Sequence, residues 1–414
     1  NAKKGMTMSK VKKSKEKVRS SLFIMIIFSL GSKIYLSLFY KVKFNRKALK
    51  EQKRGCILIY NHYSNKDHYL ISAATNCRRI NYVLSGHFFF NKVLATILNL
   101  AKSIKKDQFK PDLVAIRKIR KVLDQNGIIA IAPAGQISIN GAPIYISPAI
   151  VKLIRMCKSD VLALRMQGGH LCFPKWRLTK RKCRMNVTFS KVLNYEDIDT
   201  LTDDEIYNKV VESISVHEYE DQLTMKRVIK GKNIISGLEN ELIKCPNCGE
   251  YYTNVTEKNM MKCTHCGNTV IMDKYGLLSP LSEKDVCFKN EVDWYEYQKQ
   301  ELKKELDDPN FKFFAKVKMS RNLTKEDEME YVGDGVLTLT KDRLYYEGKC
   351  LGNDYLKEFN YNQLVQLPFS IAPLDRQYVE VPDSEGVFSF VPIEQTKVII
   401  RFVQYIDIIN ENRK

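Results

Sequence analysis

Between Gly55 and about Tyr195, short runs of β-branched and other apolar residues alternate with stretches of helical periodicity. Residues 57–60, 80–84, 128–132 and 161–165 read as strands, each apolar and bounded by polar or glycine-bearing segments. Leu113, Ile116, Ile119 and Leu123 recur at helical spacing after Pro111, and Gly127 supplies a stop, which predicts a helix before the third strand. Strand then helix, repeated, predicts an α/β layer. In open α/β sheets chemistry collects at the carboxyl ends of strands, where loops leave a rigid base. Two polar loops sit there: NHYSNKD, residues 61–67, after the first strand and APAGQIS, residues 132–138, after the third.

Further along, the pattern changes. Residues 196–243 read as an acidic, then helical, connector, and residues 244–273 as a small separate module. From 276 to 414 a helical stretch, DWYEYQKQELKKEL, leads into alternating strands. Residues 336–340 and 343–347 flank a Lys341-Asp342 turn as a hairpin. Near the end Val398, Phe402, Tyr405 and Ile409 share one helical face, so the last unit is expected to be α+β.

Ahead of the first strand, residues 21–40 (SLFIMIIFSLGSKIYLSLFY) are strongly apolar but broken by Gly31, Ser32 and Lys33. A membrane crossing needs roughly 20 predominantly apolar residues, and a lysine near mid-span is costly. Lys12, Lys13, Lys15, Lys17 and Arg19 precede the run, and Lys41, Lys43, Arg46, Lys47 and Lys50 follow it. Cations on both sides predict a re-entrant or interfacial anchor within residues 1–50, with both ends on one anionic surface. No small-residue cleavage site follows, which argues against a removed signal peptide. A buried first helix pair of a soluble domain is the alternative.

The 414-residue length suggests two or three folded units. The formal net charge is +20, and residues 1–50 alone hold 14 positive and 1 negative charges. Residues 281–414 sum to −6, so the basic part lies earlier and is expected to meet phospholipid headgroups or nucleic acid. Of the eleven cysteines, seven are scattered singly, which suits a reducing, cytoplasmic-facing location.

A neutral imidazole can take a proton from a hydroxyl when a carboxylate holds its other nitrogen in the right tautomer. His62 on a loop and Asp67 at a helix start are spaced to meet in this way. On spacing alone, a satisfied loop histidine is the commoner outcome. The stretch Asn61-His62-Tyr63-Ser64-Asn65-Lys66-Asp67, however, resembles the N-H-x-S-x-x-D signature of the glycerophospholipid (1-acylglycerol-3-phosphate) acyltransferase family, with the resemblance extending over about residues 21–193. It implies His62 as general base and Asp67 as its orienting acid, with Asn61 and Ser64 at the acceptor site. Lys105 and Lys106 fall where the family places an acceptor-phosphate arginine. Ala132–Ser138 aligns with the family's FPEGTRS and matches it at Pro133, Gly135 and Ser138, which the resemblance assigns to substrate binding. The family's glutamate and arginine are replaced by Ala134 and Ile137.

The function so implied is phospholipid biosynthesis at a membrane. A fatty acyl group would pass from a thioester donor, acyl-CoA or acyl-carrier-protein, to the hydroxyl of a lysophospholipid. Ala134 and Ile137 favour the alternative, a non-catalytic lipid-binding descendant that recruits a partner through its C-terminal modules. The basic run Lys175-Trp176-Arg177-Leu178-Thr179-Lys180-Arg181-Lys182 offers a headgroup contact or a solvated loop.

Cys245, Cys248, Cys263 and Cys266 form two C-x-x-C knuckles, each followed by a glycine, Gly249 or Gly267. Four thiolates in two pairs match tetrahedral zinc, and a module of this size needs such a staple to fold. The expected ion is a structural Zn2+ in a zinc ribbon. Its charges between the knuckles are balanced, so nucleic acid is disfavoured and a scaffold or protein contact expected. The segment after 276 resembles a pleckstrin-homology or GRAM-type barrel, which implies a regulatory or protein-binding role.

Overall fold

The computed structural model describes residues 18–89, 92–106, 112–322, 329–372, 377–383 and 385–411. The lysines at 12, 13, 15 and 17, Asp107 and Pro111 lie outside the described residues.

The first sheet has seven strands: β1 (Lys41–Asn45), β2 (Cys56–Tyr60), β3 (Ile80–Ser85), β4 (Ile104–Lys106), β5 (Ile128–Ile131), β6 (Asp160–Gln167) and β7 (Arg184–Leu193). Their order is β1-β7-β6-β2-β5-β3-β4. β6, β2, β5, β3 and β4 run parallel, β7 is antiparallel to β6, and β1 parallel to β7. The sheet is therefore mixed, of the acyltransferase type that the resemblance implies with helices flanking it, and all four expected strands are present. β1 and β7 carry their apolar residues on alternate positions and were not marked by a continuous apolar run. All of β2 and β5 is buried because both faces are covered. Cys56, Leu58 and Tyr60 point into one core and Ile57 and Ile59 into another. Each fully buried aliphatic side chain stabilises by roughly 1.5–3 kcal/mol.

The helices are α1 (Leu22–Phe39), α2 (Lys47–Glu51), α3 (Asp67–Thr75), α4 (Lys92–Leu100), α5 (Leu113–Asp124), α6 (Ala149–Cys157), α7 (Gly169–Cys172), α8 (Asp203–Ile214) and α9 (Glu218–Met225). The expected break at Gly31-Ser32-Lys33 is corrected: α1 is one continuous helix of 18 residues. Met25, Ser29, Ser32 and Leu36 form its buried face, and the two serines let it come close to α3. Ser29 Oγ donates to Ser72 O at 3.0 Å and accepts from Cys77 N at 3.1 Å. Lys33 turns outward and donates to Asn76 Oδ1, so its charge does not interrupt the seam.

Reading 196–243 as a mere connector is also corrected. Thr202 and Glu205 form a reciprocal capping box at the start of α8. Ile206, Val210 and Ile214 then face the sheet's second core, making α8 a wall of the domain. Four residues separate each from the next, so one helical stripe is enough.

A second, four-stranded antiparallel sheet follows: β8 (Asn254–Glu257), β9 (Met260–Cys263), β10 (Thr269–Met272) and β11 (Leu278–Pro280), in the order β11-β10-β9-β8. β11 carries this sheet past residue 273, beyond the expected module boundary. After α10 (Glu291–Leu306) comes a third, antiparallel sheet of β12 (Lys312–Arg321), β13 (Glu330–Thr340), β14 (Leu344–Cys350), β15 (Asn353–Phe359), β16 (Phe369–Ser370), β17 (Tyr378–Asp383) and β18 (Gly386–Pro392), then α11 (Val398–Glu411). The order is β15-β14-β13-β12-β18-β17-β16.

The expected separateness of the C-terminal parts is not observed, because one buried apolar cluster runs from the first sheet into the third. Trp294 Nε1 donates to Lys244 O at 2.9 Å, and Gln298 bridges Lys244 N and Glu241 O, tying α10 to the cysteine module. His170 of α7 meets Glu291 of α10 in a fully buried pair, joining it to the first domain.

Candidate active site

The loop after β2 is held by one carboxylate. Asp67, the first residue of α3, is buried, and its Oδ2 accepts from Tyr63 N at 3.0 Å and Ser64 N at 3.2 Å. The same oxygen lies 2.8 Å from His62 Nδ1. Two backbone donors fix the carboxylate, so it holds the imidazole with a proton on Nδ1 and a lone pair on Nε2. The His62 side chain is 27% exposed and that of Asp67 3%, so the acid is shielded while the ring is open. Such an arrangement can accept a proton at Nε2 and stabilise the resulting cation.

The neighbouring expected site residues Asn61, Ser64 and Ser138 also make hydrogen bonds that hold the loops. Asn61 is buried, and its amide donates to Met166 O at 2.8 Å and accepts from Met166 N at 2.7 Å, locking the end of β2 to β6. Ser64 is fully buried and its Oγ accepts from Lys66 N at 2.8 Å. Ser138 Oγ donates to Ala142 O at 2.7 Å and accepts from Gly141 N at 3.0 Å. Its own N–H donates to His62 O at 2.9 Å, so the second loop braces the first.

Gly135 adopts φ 70°, a left-handed conformation that favours glycine. Its N–H donates to Ala132 O at 3.1 Å, closing the turn. Pro133 is half-buried in the same turn. Lys105 and Lys106 lie on β4, paired with Leu84 and Ser85. They share the carboxyl edge with His62 but stand three strand spacings from β2, roughly 14 Å. Alternation makes Lys105 exposed and Lys106 half-buried, so the two do not act on one face.

Arg165 is a candidate that the sequence reading passed over. It follows Leu164, the partner of Tyr60, inside β6 two residues before the strand ends, and its Nε is buried without a hydrogen-bond partner among the described residues. Burial pushes the Tyr63 hydroxyl well up, Glu218 adds to this, and the Arg165 charge opposes it, so Arg165 acts electrostatically on the His62 loop. An arginine inside an otherwise apolar strand was the available signal, because a buried strand seldom carries a charge.

The four cysteine sulfurs lie within 4.8 Å of one another. Cys245 and Cys266 are 3.7 Å apart at sulfur, and Cys248 and Cys263 3.8 Å. Tetrahedral zinc with Zn–S of about 2.3 Å requires sulfurs about 3.8 Å apart, so the donor set fits the ion. Gly249 and Gly267 take φ 78° and 81°, and each donates its N–H to the first cysteine's carbonyl of its knuckle, Cys245 O and Cys263 O, at 3.0 Å. His265 is exposed and outside this set.

Residues 41–167 match the family model described as Acyltransferase. The match takes in β1 to β6 and the His62–Asp67 loop. Among solved structures the chain is similar to the 1-acyl-sn-glycerophosphate (LPA) acyltransferase PlsC from Thermotoga maritima. The identity is 15% and the TM-score 0.41, over 49% of this chain and 79% of that one. A comparison with curated proteins finds no match.

Proposed function

We propose that the protein transfers a fatty acyl group from a thioester, acyl-CoA or acyl-carrier-protein, to the hydroxyl of a lysophospholipid such as 1-acylglycerol-3-phosphate. The observation carrying this reading is the His62 Nδ1 to Asp67 Oδ2 contact of 2.8 Å with the ring's other nitrogen left open. Nε2 removes the hydroxyl proton as the oxygen bonds to the thioester carbonyl carbon. The tetrahedral intermediate then breaks its C–S bond, and the departing thiolate takes the proton from Nε2. Asp67 holds the tautomer and offsets the charge on the ring. Arg165, on the strand next to β2, offers positive charge to the acceptor phosphate, while Lys105 and Lys106 stand at the far end of the same carboxyl edge.

α1 is long and apolar enough to cross a membrane by length and composition. Its exposed face includes Phe23, 72% exposed, with Ile27, Ile34 and Leu38. At about 27 Å long and fastened along one side to α3, it suits a position in the interface, with the chain on the cytoplasmic face. The four cysteines would hold a structural Zn2+ as a zinc ribbon. The third sheet's two meanders joined through β12 and β18, with α11 against them, suit a pleckstrin-homology-like barrel and a protein partner.

A positioned base contributes roughly 100- to 10,000-fold. His62→Ala is therefore expected to lower turnover of labelled acyl-CoA on a lysolipid panel by that range while leaving lipid binding intact. Equal acylation by the variant would remove His62 from the mechanism. The competing reading, a lipid-binding descendant without catalysis, draws on Ala134 and Ile137. It predicts no acylated product from wild-type protein with any donor or acceptor.

A further inference from the structure

Away from His62, the uncovered face of the sheet at β1 and β7 forms an open groove of about 680 Å³. A second hollow of about 500 Å³ adjoins it at the carboxyl end of α1, sharing Lys41, Arg184, Met225 and Arg227. Seven lysine and arginine residues and no carboxylate line the two together. Lys41 pairs with Arg184 and Lys43 with Asn186 across β1 and β7, so these side chains share one face.

Arg227 distinguishes this groove from a solvated basic surface. It is 4% exposed, yet Nε, Nη1 and Nη2 all lack a hydrogen-bond partner among the described residues. A buried guanidinium without a partner is costly. Its backbone is deliberately held: Gln222 accepts from Arg227 N at 3.0 Å and donates to Arg227 O at 2.9 Å. Lys182 and Lys230 exchange backbone hydrogen bonds at 2.8 and 2.7 Å, fixing the 225–230 strap beside the start of β7. Glu218 is near enough to feel the Arg227 charge, but its oxygens accept from Gly168 N and His170 N, and Asp221 accepts from Gln167, so no carboxylate hydrogen-bonds the guanidinium among the described residues.

We infer that this groove binds the phosphate headgroup of an anionic membrane lipid, at a site separate from the one that would hold the acceptor. A lipid is favoured over a soluble anion because the rim is apolar: Leu38 and Phe39 of α1, Met225 and Val228 are all exposed there. A headgroup in the groove lays its chains along α1. The inference rests on the interfacial placement of α1 proposed above.

The test is flotation of the full chain with phosphatidylcholine vesicles, with and without phosphatidic acid. Wild-type protein is expected to bind the acidic vesicles several-fold more tightly, with roughly fivefold lost per groove cation removed. Arg227→Gln should abolish much of the preference, and the exposed double variant Lys43→Gln/Arg184→Gln should do so without touching a buried position. Both should keep wild-type partition into phosphatidylcholine alone. An unchanged preference in the double variant overturns the inference, as does displacement from acidic vesicles by coenzyme A or inorganic phosphate, which would assign the groove to a soluble anion. Failure of wild-type protein to bind either vesicle would instead count against the interfacial placement of α1.

Discussion

The loops after β2 and β5 leave the same edge of the sheet, yet their polar groups are used in opposite ways. In residues 61–67, hydrogen bonds to Asp67 and Asn61 converge so that one atom, Nε2 of His62, stays available. In residues 132–138 the bonds turn inward, with Gly135 N on Ala132 O and Ser138 on Ala142, Gly141 and His62. A shared motif residue is thus no guarantee of a ligand contact. The hydrogen-bond partner decides whether a polar side chain works on substrate or on the fold.

The largest expected effect that sharpens this contrast is Asp67→Asn. The amide can still accept a hydrogen bond but no longer offsets the imidazolium charge. Turnover should fall by roughly 100- to 10,000-fold with the donor KM unchanged. Steady-state kinetics showing a KM effect alone would place Asp67 on the substrate side instead.

Next comes Asn61→Ala, which strips both hydrogen bonds from the Met166 backbone. A stability loss of about 2–6 kcal/mol in urea unfolding is expected, at roughly 1–3 kcal/mol for each of the two groups left unsatisfied. Should stability hold while acceptor affinity collapses, the bracing role assigned to Asn61 is wrong. Ser138→Ala is the mildest change, costing about 1–2 kcal/mol of stability and leaving the acceptor KM near wild type. A raised KM without loss of stability would return Ser138 to the binding site.

The strands of the first sheet were legible because burial on both faces writes a continuous apolar run into β2 and β5. The His62–Asp67 pair was legible because its parts lie five residues apart, and the four cysteines because knuckle spacing is local. What escaped depends on distant partners. Asn61 acquires its role from Met166, 105 residues away, and no local pattern announces that. Arg165 and Arg227 take their surroundings from segments distant in the chain, which no local pattern records. The continuity of α1 escaped for a related reason: Gly31-Ser32-Lys33 reads as a break unless one knows that α3 waits beside Ser29 and Ser32.

That seam has a mechanical outcome. Ser29 grips the far end of α3 through Ser72 and Cys77, and the near end of α3 begins with Asp67. The chain's greasiest surface and the acid behind its imidazole therefore belong to one rigid lever. On the function proposed above, a lipid arriving from that side would meet a proton acceptor already aimed.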